Sequence, residues 1–402
     1  MVWVRRVAGT VAGMVLLCGC GAAAAACQTS GPFDRWLDGF RREAATAGIT
    51  QPTLAGALTG LTLDTGIIAR DRRQAFFAQS FLAFSDKLAT RGRVDSGRRK
   101  MAEHKALFAR VEKTYGVAPA VITAFWALES GYGTDTGRLP VLRSLASLAY
   151  DCRRSELFRG ELLEALRIID RGDLRPSEMV GSWAGELGQT QFLPSHYVKH
   201  AIDFDGDGRR DLLRSVPDVL ASTAALLKSL GWQSGEPWLQ EVRVGTAVPW
   251  PEADLAIRHP RAQWAKWDVT GLDGRPLATG GPDVSLLLPM GRTGPAFLAS
   301  PNFHVFIKWN QSLNYATTAA YLAARLDGAA VLLRGTGRIA VLTGEQLKEL
   351  QLLLVRHGYL TGEADGKLGA ATRAAVKRAQ IKLGLPADSY PSPDLLERLR
   401  QR

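Results

Sequence analysis

The sequence contains few cysteine and histidine residues, which limits the covalent and metal chemistry that it can carry. Four of its 402 residues are cysteine and six are histidine. Three of the cysteines fall in the N-terminal leader: Cys18, Cys20 and Cys27. Cys152 is therefore alone in the folded body, which predicts no disulfide framework and, with no histidine near it, a structural thiol. His196 and His200 have helical i,i+4 spacing, but the segment between them lacks the glutamate of a zinc-binding HExxH motif.

The sequence also lacks any long block of lysine and arginine. Its 50 basic and 39 acidic residues give a formal net charge of +11. This charge favours an anionic partner such as nucleic acid, a membrane surface or an acidic polymer of the bacterial cell wall. Because the basic residues are scattered, we do not expect nucleic acid to be the partner. With 46% hydrophobic and 22% charged residues, a chain of this length is predicted to form two or three globular domains.

The N-terminal residues predict export from the cytoplasm. Arg5 and Arg6 precede an apolar run rich in alanine and glycine, as in a signal peptide. Leu17-Cys-Gly-Cys20 is similar to a bacterial lipobox, so we expect residues 1–27 to be a signal peptide or a lipoprotein leader lipidated at Cys20. Ordinary cleavage within the alanine run and an uncleaved anchor are the alternatives, although the run is only marginally long enough to span a membrane. The predicted location is the periplasm, with or without a lipid anchor in the outer membrane.

Hydrophobic periodicity predicts a mostly α-helical protein. Helical patterns continue from the leader to about residue 170, with a turn predicted at Ser96-Gly-Arg98. Between about residues 235 and 300, proline, glycine and tryptophan become frequent, and only short strand-like segments are found. Helix returns at 312–326, and a linker punctuated by glycines follows at 331–342.

A glutamate stands at an unusual place in residues 122–133, ITAFWALESGYG. Pro119 suits the start of a helix and the two glycines suit its end, so Glu129 falls where the helix dipole disfavours an acid. Phe125 at i−4 and Ile122 at i−7 place the carboxylate on an apolar stripe. Burial and the dipole should both raise the pKa of Glu129, which suits general acid catalysis of glycosidic cleavage. The alternative is a frayed, exposed helix end that tolerates the acid.

Two later segments mix amides and aromatic rings without a helix or strand period. Residues 181–195, GSWAGELGQTQFLPS, are typical of a loop whose backbone and glutamine side chains approach a polar ligand. Residues 306–316, FIKWNQSLNYA, combine flat rings with amide donors, as a sugar-binding surface does. The respective alternatives are a plain turn between helices and packing at a helix start.

The order of four motifs resembles the lytic murein transglycosylase B family over about residues 31–330. The motifs are ALESGYG, GSWAGELGQTQFLPSHY, an aspartate-rich loop and WNQSLNYA. The resemblance implies a lysozyme-like α catalytic domain with a small mixed α/β part, which cleaves the MurNAc-GlcNAc β-1,4 bond of peptidoglycan without adding water. It also implies that Glu129 acts alone, first as the general acid and then as the base that activates the muramyl C6 hydroxyl. The products would carry 1,6-anhydroMurNAc ends.

The resemblance assigns four further residues, by motif position, to the glycan groove or to the orientation of the glutamate: Ser182, Gln191, Asn310 and Tyr315. Two positions depart from the pattern of the family. Gly131 stands where a larger residue is common, and Trp309 stands where tyrosine is often found. The implied chemistry needs no cofactor, the implied partner is the glycan strand of peptidoglycan, and we expect a monomer.

The aspartate-rich loop, residues 203–211, has the sequence DFDGDGRRD and begins like an EF-hand calcium loop. Acids occupy positions 1, 3, 5 and 9, but position 12, normally a glutamate, is Arg214. Asp218 could replace that ligand from a longer loop, a variant known in the family; otherwise Asp218 would be a helix N-cap and the loop a polar surface turn. The candidate positions for binding a structural calcium ion are Asp203, Asp205, Asp207, Arg209 and Asp218.

Residues 343–402 carry a second resemblance, to the small three-helix peptidoglycan-binding domain. Its pattern of Q-x-x-L, G-Y and D-G-x-x-G is present between two runs with helical periodicity. Ala379-Gln380 stands where the pattern of the domain ends in F-Q, and we expect this departure to alter the core or the groove of the domain. The alternative is a helical cap on the catalytic domain.

Two other functions fit parts of the sequence. A hydrolytic muramidase would use the same glutamate with a water molecule and often a second acid, for which Asp135 and Asp151 are candidates. A non-catalytic peptidoglycan-binding scaffold would not need Glu129, Gln191 and Asn310, all of which are present. The sequence therefore favours a peptidoglycan lyase with a wall-binding unit.

Overall fold

The computed structural model describes residues 31–72 and 79–402 and is mostly helical, which confirms the predicted fold class. The leader predicted at 1–27 lies outside the described residues. The helices of the first two thirds of the chain are α1 (Phe33–Thr46), α2 (Gln51–Leu58), α3 (Thr65–Arg72), α4 (Phe81–Leu88), α5 (Arg91–Glu103), α6 (Lys105–Tyr115), α7 (Pro119–Ser130), α8 (Val141–Tyr150), α9 (Ser155–Asp170), α10 (Pro194–His200), α11 (Val216–Ser229) and α12 (Arg261–Lys266).

The remaining helices are α13 (Phe303–Trp309), α14 (Leu313–Leu326), α15 (Gly344–Arg356), α16 (Ala370–Lys382) and α17 (Pro393–Arg400). The strands are β1 (Leu139–Pro140), β2 (Val180–Gly181), β3 (Leu239–Val244), β4 (Val269–Thr270), β5 (Ser285–Leu287) and β6 (Ala296–Ala299). Within the part of the chain that the structure describes, no helix combines the length and the apolar character needed to cross a membrane.

Helix α7 lies at the centre of the main hydrophobic core. Its residues from 120 to 127 are all buried, and it packs against α5, α6, α11 and α14. Pro119 begins the helix, where a missing N–H costs nothing because that group would have no helical partner. Gly131 ends the helix at a φ of 59°, in the left-handed region that glycine adopts without strain. The core therefore surrounds the helix that carries Glu129.

The turn predicted at Ser96-Gly-Arg98 is wrong, because these residues lie inside α5. A Cβ atom on Gly97 would come within 2.6 Å of Leu326 Cδ2 and 2.7 Å of Tyr132 Oη. The glycine thus allows α5 to approach its neighbours closely and does not reverse the chain. A packing glycine and a turn glycine look alike in a single sequence.

A four-stranded antiparallel sheet forms the small mixed part of the protein. The strand order is β4-β3-β6-β5, and Val242 of β3 pairs with Ala296 of β6. The sheet has its own core around the buried Trp264, whose Nε1 donates a hydrogen bond to the carbonyl of Val284 over 2.8 Å. Helical periodicity fades between residues 235 and 300 because this segment folds mainly as short strands and turns.

Helices α15, α16 and α17 enclose a separate small core at the C-terminus. Two buried glutamines tie its loops together. Gln351 donates to Asp365 Oδ1 over 3.0 Å, and Gln380 donates to Asp388 Oδ1 over 2.9 Å. Ala379, where the sequence departs from the F-Q pattern, is itself buried, so its small side chain is part of this core.

The segment between these units has no regular structure at residues 331–342 but is held by side chains of the preceding part. Arg334 donates two hydrogen bonds to the carboxylate of Asp86, each over 3.0 Å. The backbone N–H of Leu333 donates to Glu241 Oε1 over 2.8 Å. The linker is therefore fixed at several points along its path.

The expectation that Cys152 is an isolated thiol is wrong, because Cys152 is disulfide-bonded. It is the one cysteine among the described residues. The prediction failed because the positions of the cysteines along a sequence do not show which of them pair.

Candidate active site

The carboxyl of Glu129 projects from the last turn of α7 into a site built by three distant parts of the chain. Trp309, the last residue of α13, donates from Nε1 to Glu129 Oε1 over 2.9 Å. The hydroxyl of Tyr315, in the first turn of α14, donates to the same oxygen. Both donors therefore bind Oε1, and Oε2 receives no hydrogen bond from the described residues.

Burial raises the pKa of Glu129 to about 7. The hydrogen bonds from Tyr315 and Trp309 lower this pKa and so oppose part of the effect, while the negative charge of Glu186 raises it further. The residue as a whole keeps partial exposure. A carboxyl in this environment is partly protonated at neutral pH and can deliver a proton to a bound ligand.

The two donors are themselves held in place by packing and burial. The indole ring of Trp309 stacks on Phe125, one turn before Glu129, with ring centroids 4.2 Å apart and planes inclined by 30°. Phe192 packs edge-on against the same indole at 5.9 Å. Burial, together with the charge of Glu129, raises the pKa of Tyr315 well above its ordinary value, so its hydroxyl remains a donor at any physiological pH.

The loop at residues 181–192 forms the opposite wall and is closed by short backbone bridges. The N–H of Ser182 donates to the carbonyl of Glu186 over 2.9 Å, and Leu187 and Phe192 exchange backbone hydrogen bonds. The Ser182 hydroxyl donates to Glu186 Oε2 over 2.5 Å and accepts from the N–H groups of Ala184 and Glu186 at 3.2 Å. Among the described residues, every hydrogen-bond partner of this hydroxyl lies in its own loop.

A glutamine joins this loop to the end of α7. Gln189 accepts a hydrogen bond from Trp126 Nε1 over 2.8 Å and donates to the carbonyl of Leu213 over 3.0 Å. The Ser130 hydroxyl, next to Glu129, donates to the backbone carbonyl of Gln189. A Cβ atom on Gly133 would lie 2.4 Å from Gln189 Oε1, so the second glycine of the ESGYG segment permits this close approach.

The structure distributes the four predicted groove residues unequally around Glu129. Tyr315 contacts the carboxyl directly, and Ser182 lies in the facing loop. Gln191 donates from Nε2 to the carbonyls of Thr136 and Gly188, which ties its loop to the chain after α7. Asn310 follows Trp309, and its Oδ1 accepts the N–H of Ser312 over 2.9 Å, which leaves its amide nitrogen without a partner among the described residues.

Two residues of the site were not predicted. The sequence indicated Trp309 only as a departure from the family pattern, although its indole N–H donates a hydrogen bond to Glu129. Glu186 was not singled out, yet it is the one charged residue between Glu178 and His196 and stands in a loop of glycines and amides. An isolated acid in such a loop is the signal that could have identified it.

The aspartate-rich loop brings together three of the predicted ligand positions. One carboxylate oxygen from each of Asp203, Asp205 and Asp218 lies within 4.8 Å of the others. Asp207 is exposed and does not belong to this group. The guanidinium of Arg209 donates to the carbonyl of Asp173 over 2.9 Å, so this residue could offer a cation only its backbone carbonyl.

Asp218 is not the N-cap of its helix, which was the alternative role considered for it. Ser215 caps α11 and accepts from the N–H of Asp218. The buried carboxylate of Asp218 accepts instead from the N–H of Phe204 over 2.7 Å and from the N–H of Asp211 over 2.8 Å. Desolvation by burial raises the pKa of Asp218, and the hydrogen bonds from the N–H groups of Asp211 and Phe204 oppose the rise. No basic side chain of the described residues is bonded to this carboxylate.

A cavity of about 740 Å³ lies between the C-terminal unit and the start of α14. Its wall includes Asn314 on one side and Arg373 and Tyr390 on the other. Arg373 also donates to the carbonyl of Pro289 over 2.7 Å, and Lys377 forms an ion pair with Asp254 at 2.7 Å. The C-terminal unit therefore contacts the sheet and faces the helix that carries Tyr315.

Comparison with known proteins finds relatives over most of the chain. A family model of the transglycosylase SLT domain matches residues 32–324, and a model of a peptidoglycan binding domain matches residues 343–399. A crystal structure of SltB3 from Pseudomonas aeruginosa in complex with NAG-anhNAM-pentapeptide is 40% identical, with a TM-score of 0.86; the match covers 92% of this chain and 100% of that chain.

Two relatives from Escherichia coli are more distant. Membrane-bound lytic murein transglycosylase B of strain K12 is 29% identical over 238 residues, which span 59% of this chain and 64% of that protein. A structure of the lytic transglycosylase Slt35 in complex with calcium is 26% identical, with a TM-score of 0.62; the match covers 72% of this chain and 92% of that chain.

Proposed function

The chain belongs to the transglycosylase SLT domain family, and from this membership we propose that it is a lytic transglycosylase of peptidoglycan. It cleaves the β-1,4 bond between MurNAc and GlcNAc without water and leaves 1,6-anhydroMurNAc ends. The observation that carries this proposal is the environment of the Glu129 carboxyl. Burial raises its pKa to about 7, and one of its oxygens accepts two hydrogen bonds.

The geometry of the two donors favours one oxygen of Glu129 as the carrier of the proton. Trp309 and Tyr315 stabilise negative charge on Oε1, so the proton of the neutral carboxyl belongs on Oε2. Oε2 is then the atom that protonates the glycosidic oxygen as the C1–O bond breaks. The GlcNAc product leaves with a 4-hydroxyl, and positive charge develops at C1 of MurNAc.

The same oxygen performs the second step. After the proton has gone, the two hydrogen bonds to Oε1 stabilise the carboxylate, and Oε2 accepts the proton of the muramyl C6 hydroxyl. The C6 oxygen forms a bond to C1, which closes the 1,6-anhydro ring. The carboxyl is returned to its protonated state, so one glutamate serves as acid and then as base without a second catalytic carboxylate.

The hydrolytic alternative lacks support from the acids suggested for it. Asp135 is exposed and accepts the N–H of Gly137, while Asp151 accepts the guanidinium of Arg72. Neither aspartate is among the groups that bond to Glu129 or shift its pKa. A non-catalytic scaffold would not need a partly protonated Glu129 whose carboxyl accepts two hydrogen bonds.

We further propose that the aspartate-rich loop binds a structural calcium ion. The donor set fits a hard cation, because three carboxylate oxygens converge and the buried Asp218 has no basic partner among the described residues. Asp203 and Asp205 are the partners of Asp218 in this site. The ion would hold the loop between α10 and α11 and take no part in the chemistry.

The wider setting is also part of the proposal. The C-terminal unit binds peptidoglycan and keeps the catalytic part on its polymeric substrate, which the positive net charge of the chain also favours. The enzyme acts as a monomer in the periplasm. Lipidation at Cys20 would anchor it to the outer membrane.

Mass spectrometry of sacculi digested by the full chain tests the reaction type. A lytic transglycosylase yields muropeptides with anhydro ends, each 18 mass units lighter than the corresponding hydrolysis product because the elements of water (about 18 Da) are not added. Muropeptides with reducing ends would establish a hydrolase instead, and the release of no product would establish a scaffold.

A further inference from the structure

The second acid of the site, Glu186, has no role in the reaction described above. It lies in the loop that faces Glu129, and its placement is tightly determined. A Cβ atom on Gly181 would lie 2.1 Å from the carbonyl oxygen of Glu186, and a Cβ atom on Gly185 would lie 2.3 Å from Leu145 Cδ2. Gly185 also has a φ of 91°, which few other residues adopt. The backbone on both sides therefore permits little movement of Glu186.

The two oxygens of Glu186 have different surroundings. Oε2 accepts the hydroxyl of Ser182 over 2.5 Å, which fixes the direction of the Ser182 proton. Oε1 accepts no hydrogen bond from the described residues. It is also not one of their fully buried polar atoms without a hydrogen-bond partner. One oxygen is thus used by the loop, and the other keeps some accessible surface and has no hydrogen-bond partner among the described residues.

Few charged groups act on the two glutamates. Around Glu129, the neighbours are the neutral donors Tyr315 and Trp309 and one charge, that of Glu186. Around Glu186, they are the Ser182 hydroxyl and the guanidinium of Arg154. No cation among the described residues is bonded to Glu129. Among the described residues, the charge that acts on Glu129 is therefore the negative charge of Glu186.

We propose that Glu186 is a positioning residue of this site, whose carboxylate orients the Ser182 hydroxyl and whose charge keeps the proton on Glu129. The inference rests on the proposed function and adds a second acid to it. Two nearby carboxyls resist simultaneous ionisation, so an anion at Glu186 favours the neutral, proton-donating form of Glu129. The acid that acts on the glycan is still Glu129 alone.

Burial also raises the pKa of Glu186, and the Ser182 hydrogen bond and the charge of Arg154 oppose this rise. These two groups therefore favour the anionic form of Glu186, in which its carboxylate accepts the Ser182 proton.

The test is the pH dependence of kcat/KM for the full-length enzyme on a soluble glycan oligomer. Because free Glu129 must be protonated, kcat/KM falls as the pH rises through its pKa. Glu186→Gln removes the anion and lowers that pKa, so the alkaline limb should move to lower pH by about half a unit. Glu186→Met removes the same charge with a side chain of similar length, and it replaces Gln as the test variant if Gln prevents folding.

Two further variants separate the charge from other effects. Ser182→Ala removes the hydroxyl and leaves the charge, so kcat/KM should fall roughly fivefold while the limb stays in place. Glu241→Gln removes a half-buried glutamate on β3, whose partial burial raises its pKa to about 7, and it should leave the limb unmoved.

The proposal is overturned if the charge-removing variants lower kcat/KM equally at every pH, or if Ser182→Ala moves the limb as far as they do. Wild-type product distinguishes this failure from failure of the proposed function. Anhydro ends from the wild type with an unmoved limb in Glu186→Gln reject only the role of Glu186.

Discussion

Trp309 donates a hydrogen bond to Glu129 across 180 positions of the chain, and its ring stacks on Phe125, one helical turn before that glutamate. A single side chain therefore shields the acid from water and also stabilises the anion that forms when the acid gives up its proton. Burial raises the pKa of Glu129, and the hydrogen bond limits the rise, so the carboxyl titrates near neutral pH. Acid and base steps by one group require such a balance.

Glu129→Gln should reduce the release of anhydro products by a factor of about 10³ or more, because glutamine has the same shape but cannot transfer a proton. Binding to sacculi, measured by sedimentation, should be retained. Glu241→Gln is the matched control. Glu241 is also a glutamate, partial burial raises its pKa to about 7, and it lies on β3 outside the site. Turnover by Glu129→Gln within tenfold of the wild type would exclude Glu129 as the acid.

The same substitution should change how stability depends on pH. The folded-state pKa of Glu129 is raised to about 7, so the folded protein binds a proton more tightly than the unfolded chain. This contribution to stability is present below a pH of about 4.5 and is lost as the pH rises to about 7. Glu129→Gln should therefore be more stable than the wild type at pH 8, by up to about 3 kcal/mol, and the difference should shrink towards pH 4.5. Chemical denaturation at the two pH values checks this, and a constant difference would contradict it.

Trp309→Phe and Tyr315→Phe each remove one donor to Oε1 and retain an aromatic ring. Because each donor lowers the pKa of Glu129, the alkaline limb of kcat/KM should move to higher pH by about half a unit or more. The value of kcat should fall about tenfold, since the carboxylate loses a charge-assisted hydrogen bond worth about 1.5 kcal/mol. A limb that moves to lower pH, as expected for loss of Glu186, would show that these donors do not act on the anion.

Calcium should raise the melting temperature of the full chain if the aspartate-rich loop binds it. At millimolar calcium we expect a rise of about 2 °C or more over the value in chelator, because an ion that binds only the folded state stabilises it. Asp205→Asn should abolish most of the rise. The control, Asp273→Asn, alters an exposed aspartate that is not one of the three clustered aspartates of the loop. It should leave the rise in melting temperature unchanged. Equal responses of the wild type and Asp205→Asn would remove this loop as the site.

The elements with strong patterns could be predicted from the sequence. The helix of Glu129 was expected from Pro119, the apolar stripe and the closing glycines, and the structure has it at Pro119–Ser130. The raised pKa of Glu129 followed from the same stripe, because side chains at i−4 and i−7 share a face with the carboxyl. Local periodicity was sufficient wherever one helix determined the environment.

Features that depend on distant contacts could not be predicted. A glycine is needed at position 97 of α5 because α7 and α14, with the residues that follow α7, leave no room for a side chain there. No local sequence pattern indicates this packing. Trp309 lies 180 positions after Glu129 in the chain, and the strands of the four-stranded sheet stand between them in the sequence. Glu186 stood in a loop without periodicity, and its relation to Ser182 depends on the backbone bridge between these two residues.

The most direct measurement is the titration of the Glu129 carboxyl by ¹³C NMR, with the full-length protein labelled at glutamate and the resonance assigned by its loss in Glu129→Gln. We predict a midpoint near pH 7, well above that of an ordinary glutamate. A midpoint near 4.5 would mean that Glu129 is ionised at neutral pH and cannot serve as the proton donor.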